Sequence, residues 1–71
     1  LFDAPGMMNE YISRITFDLI AKLRSRKSVS DEMLRDIHQL RCLRRKLNHE
    51  DPMVKLIDSA DELVSYYAND I

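Results

Sequence analysis

The chain has one glycine, one cysteine, two prolines and no tryptophan among 71 residues. A lone thiol, Cys42, closes no intrachain disulfide, so nothing asks for an oxidising compartment. A single glycine leaves no glycine-rich loop to cradle a phosphate, which removes the nucleotide-binding motifs built on one. No run of about 18 apolar residues is present to span a bilayer, and no basic-then-apolar start reads as a secretory signal. A soluble, cytoplasmic protein without membrane contact is therefore expected. Scarce Gly and Pro beside abundant Leu, Ile, Met, Arg, Asp and Glu favour helices over sheets.

Length and charge bound what such a chain can do. At 71 residues it is a single domain near the size where one hydrophobic core barely suffices, so oligomerisation is expected. The formal net charge of −1 hides three blocks. Leu1 to Ala21 is acidic, Lys22 to Leu47 carries nine bases against three acids, and Asn48 to Ile71 carries six acids against one base. A basic helix beside an acidic one is steered into one pairing and away from others.

Leu1 to Gly6 shows no period and puts the only glycine beside a proline, as in a flexible leader or an expression remnant preceding one helical domain over 7–71. From Met8 to Lys27 the spacing predicts a first helix with a stripe of Met8, Tyr11, Ile12, Ile15, Leu19 and Leu23, Thr16 and Ile20 at its edge and a cap at or just before Asn9. Phe17 projects almost opposite the stripe. The second helix is expected over Asp31 to Leu47. Ser30 can cap the amide of Met33, Val29 can staple onto Leu34, acids fill the first turn and bases the last. Its main stripe is Met33, Ile37, Leu40, Leu43 and Leu47, and a separate row of Leu34, His38 and Cys42 runs round the helix, which argues for a central position among the three. Asp51 and Pro52 form an N-cap and N1 pair for a third helix to Asn69, with Met53, Leu56, Ile57, Ala60, Leu63, Val64, Tyr67 and Ile71 on its apolar face. Short connections favour antiparallel neighbours, placing the basic end of helix 2 near Glu50 and Asp51.

Chemistry is thin. His38 and Cys42, four residues apart, could place two metal ligands on one face, but a closed site needs two more and only His49 or carboxylates remain. A small hydrophobe and an imidazole on a half-buried face account for the pair, and no metal or other cofactor is expected. A reactive thiolate needs a cleft and an oriented base, which a mid-helix pair does not supply. The carboxylate pairs Asp31/Glu32, Glu50/Asp51 and Asp61/Glu62 read as caps and solvated faces. No enzymatic activity is expected.

The fold class expected is all-α, a three-helix chain with antiparallel neighbouring helices completed by homodimerisation. Phe17, the Leu34, His38 and Cys42 row, Val54 and Tyr66 are more apolar surface than three helices can hide. The expected function is that of a small regulatory or adaptor protein binding another protein through a helix face. Phe17, Leu34, His38 and Tyr66 would make the contact, with Arg41, Arg44 and Arg45 at its rim. The alternative is a nucleic-acid-binding transcriptional regulator whose basic middle meets phosphates through Lys22, Arg24, Arg26 and Lys27 and the Arg41 to Lys46 cluster. Against it, a recognition helix 3 would present Asp58, Asp61 and Glu62 to DNA, and in an antiparallel bundle the two basic groups lie at opposite ends. A basic amphipathic helix also suits anionic membranes, but helix 2 lacks a Trp- or Phe-rich face for one.

Overall fold

Two side-chain caps divide the chain into its rods. Ser30 Oγ accepts from the Met33 amide at 3.3 Å, and Asp51 Oδ1 accepts from the Met53 amide at 3.0 Å, each relieving one of the orphan donors at a helix start. The computed structural model describes residues 7–69, and there the chain forms α1 (Met7–Arg26), α2 (Asp31–Arg44) and α3 (Pro52–Ala68), packed on one another with no strand among the described residues. The leader expected at Leu1 to Gly6, and Asp70 and Ile71 of the expected third helix, lie outside the described residues.

The ends of α1 and α2 differ from the sequence expectation in instructive ways. The basic connection after α1 has no glycine, so Lys27 itself takes the left-handed conformation (φ 54°) while its amide donates to the Leu23 carbonyl at 2.7 Å. α2 stops at Arg44, three residues before Leu47. Beyond it the chain tightens into i→i+3 bonds, Lys46 to Leu43 at 3.0 Å and Leu47 to Arg44 at 3.1 Å, which keep the last carbonyls partnered and leave Leu47 packed against the core.

The core is built from Ile12, Leu19 and Leu23 of α1, Met33, Ile37 and Leu40 of α2, and Ile57, Ala60 and Val64 of α3. On α1 the buried line runs Ile12, Thr16, Leu19, Leu23, so the stripe is turned from the expected one: Thr16 sits fully buried in its middle and Tyr11 is 41% exposed. Val54 is also buried and joins the inner face of α3 instead of the surplus assigned to it from sequence. Its place three residues before Ile57 puts it on the same side of the helix. The central position expected for helix 2 belongs to α3, which packs on both others and most extensively on α1, while α1 and α2 touch least. The reason lies in width: α3 buries Val54, Ile57, Ala60 and Val64 between half-buried Met53, Leu56, Leu63 and Tyr67, whereas the second row of α2 stays exposed.

Candidate interaction surface

Helical spacing places arginines three apart on α2 opposite aspartates three apart on α3. Arg41 donates through Nε to Asp61 Oδ2 at 2.8 Å and through Nη2 to Asp61 Oδ1 at 2.7 Å. Arg44 repeats the fork on Asp58, at 2.7 Å and 3.2 Å. The Arg41 hydrogen bonds hold the Asp61 carboxyl below its ordinary range, with the charges of Arg41 and Arg44 adding to them and partial burial opposing. The same bonds raise both guanidinium groups. Asp58 and Asp61, not the expected Glu50 and Asp51, therefore receive the basic end of α2. The matched spacing of 41 and 44 with 58 and 61 was the available signal. Arg45, by contrast, is exposed and makes no ion pair among the described residues.

The apolar members of the expected binding set are all at the surface. Phe17 is 60% exposed, Leu34 46% and Tyr66 67%. Val29 packs on the core, so the expected staple partner Leu34 is left outward. His38 and Cys42, one and two turns further along the same row, are exposed. Leu34, His38 and Arg41 come together along a shallow groove of about 410 Å³ that Ile37 also lines. Phe17 lies apart from them, beside Arg14 and Ala21 on the outer side of α1. Tyr66 stands on α3, its ring edge-on to Tyr67 at 5.1 Å and 77°.

Two cross-helix contacts join α1 to α2 beyond sequence expectation. Gln39 Nε2 donates to the Tyr11 hydroxyl at 2.7 Å over a groove of about 250 Å³ shared with Met8 and Leu43. Lys22 bridges Asp18 at 3.2 Å and Glu32 at 3.4 Å, and its ammonium is raised first by the Asp18 hydrogen bond and then by that to Glu32. Among the described residues no group of three or more His, Cys, Asp or Glu side chains is arranged to hold a metal ion, and no helix is long and apolar enough to cross a membrane. Comparison with protein-family models, curated proteins and solved structures gives no match.

Proposed function

We propose that this protein is a small regulatory or adaptor protein that acts by binding, without catalysis, docks a helix face on a partner protein, and pairs with a second copy of itself. The observation that carries the reading is that Phe17, Leu34 and Tyr66 stay outside a core already filled by nine buried apolar side chains. Large exposed apolar groups at several points of a small domain are what a docking surface requires. The antiparallel course of neighbouring helices belongs to the same reading. Its support is the order of the cross-helix pairs, Arg41 with Asp61 then Arg44 with Asp58, and Tyr11 with Gln39 then Lys22 with Glu32. A cytoplasmic setting goes with a single, exposed, free cysteine.

The arginine pairs weigh against a nucleic-acid partner. For Arg41 or Arg44 to take a phosphate, it must share a guanidinium whose Nε and Nη2 already hold a carboxylate and whose charge that carboxylate offsets. Sedimentation equilibrium from micromolar to millimolar protein tests the pairing, and association is expected. A chain that stays monomeric throughout removes that part of the reading. In parallel, labelled duplex DNA at low salt is expected to show no shift. A salt-dependent shift lost on replacing Arg41, Arg44 and Arg45 with Ala would put a nucleic-acid-binding regulator in its place.

A further inference from the structure

We infer that two copies pair through the face formed by α2 and α3, the α2 seam of each lying along the α3 seam of the other. This rests on the pairing reading above and names its surface. On α2, Leu34, His38, Arg41 and Arg45 follow one another at intervals of 4, 3 and 4 residues, a single helical seam that is apolar at one end and basic at the other. On α3, Asp58, Glu62, Ser65 and Asn69 follow at the same intervals and form an acidic-to-polar seam. Arg45 and Glu62 are both exposed, and neither has an ion-pair partner among the described residues.

The register between the helices is fixed by the two arginine forks, Arg41 on Asp61 and Arg44 on Asp58. Extending it sets Arg45 level with Ile57, His38 level with Val64, and Leu34 level with Ala68. Identical faces can meet about a two-fold axis lying in the face in two ways. An axis across the helices at the level of the forks sets α2 antiparallel on α2 and brings arginine onto arginine and aspartate onto aspartate, which their like charge opposes. An axis along the helices sets each α2 on the other copy's α3 without changing level. Arg45 then arrives beside the partner's Asp58, and Arg41 beside the partner's Glu62. Both intramolecular forks survive: Asp58 gains a second cation and Arg41 a second anion, so charges alternate across the seam. Leu34, 46% exposed in the single chain, is covered at the level of the partner's Ala68. Charge selects the orientation, and the leucine adds burial.

Because each contact occurs twice about the axis, a charge swap between chains tests the arrangement. Arg45→Glu and Asp58→Lys each place two like-charge contacts in their own homodimer while leaving the Arg41 fork on Asp61 in place, and each is expected to weaken association about tenfold. In an equimolar mixture of the two variants each contact between positions 45 and 58 joins opposite charges again, so the mixture is expected to associate more tightly than either variant alone by sedimentation equilibrium. Leu34→Gln, at a position outside the core, is expected to weaken association while helix content by circular dichroism is unchanged. Variants that associate like wild type, or a mixture no tighter than its components, would overturn this face and leave the pairing itself standing. A wild-type chain that is monomeric at millimolar concentration would overturn both.

Discussion

A threonine hydroxyl sealed in an apolar core is costly unless something bonds to it, and Thr16 Oγ1 is fully buried without a partner among the described residues. Its β-branched shape fills the space between Ile12 and Leu19, so replacing the hydroxyl by a methyl keeps the volume and removes the unpaired group. Thr16→Val is expected to stabilise the fold by about 1 kcal/mol, since an unsatisfied buried group costs about 1–3 kcal/mol. Thermal unfolding reads this as a rise of roughly 4–8 °C for a domain of this size. An unchanged or lower midpoint would mean the hydroxyl does find a partner. The backbone stores a second local cost at Lys27, where φ is 54° and a side chain with a Cβ occupies a position glycine prefers. Lys27→Gly is expected to gain up to about 1 kcal/mol, less the greater freedom glycine has in the unfolded chain. Denaturant titration at constant m-value would check it. Neither cost is legible in sequence: a threonine at the rim of a helical stripe moves to its centre when the helix turns by a few tens of degrees, and that rotation is set by what packs opposite.

The beginnings of α2 and α3 are far more legible than helix ends or faces, whereas α1 already begins at Met7, so that Asn9, its expected cap, lies inside the helix. Ser30 and Asp51 cap by contacts between residues two or three apart, so the information is entirely local, and both bonds form as the residue types imply. Ser30→Ala is expected to cost about 1 kcal/mol, against a few tenths for Ser30→Gly, because glycine keeps the cap conformation without the oxygen. No loss in either variant, measured by urea unfolding, would show that the hydroxyl bond contributes nothing. Apolar spacing carries α2 on to Leu47, past its end at Arg44, because an apolar residue at helical spacing looks the same whether helix or a tightened turn carries it to the core. The rank of the helices is hidden in the sequence for a related reason. Two apolar rows on α2 suggested burial on two sides, yet Leu34, His38 and Cys42 remain exposed. α3 takes the centre, because a face widened by Val54 and Leu56 packs more extensively on both neighbours than the narrower stripes of α1 and α2 pack on each other. Of the candidate surface, exposure at Phe17 and Tyr66 followed from helical phase alone. The arginine partners did not, since pairing across helices depends on register that no single stretch encodes.

Charge couples these rods into one titrating body. The basic and acidic blocks of the sequence meet as two guanidinium–carboxylate forks between α2 and α3, and Arg41 keeps Asp61 ionised below its ordinary value of 3.8. A carboxyl whose folded value is depressed contributes stability that is fully present above its unfolded value and is lost as pH falls through the lowered folded one. Because Arg41 is half exposed and screened by solvent, the fork is worth about 1 kcal/mol at most, in line with surface pairs of good geometry. Asp61→Asn is therefore expected to be less stable than wild type at neutral pH by up to that amount. The gap should narrow as acid protonates Asp61 in the wild type, closing once pH lies below the folded-state value. Thermal midpoints of both proteins from neutral pH into acid would show two curves converging at the low end. Added salt at neutral pH should draw the midpoints together by weakening the same attraction. Parallel curves would mean that the fork fixes the register of α2 on α3 without stabilising it. The seam of α2 and α3 would keep its register in that outcome, because it depends on where Arg41 and Arg44 hold the two helices and not on how strongly they do so.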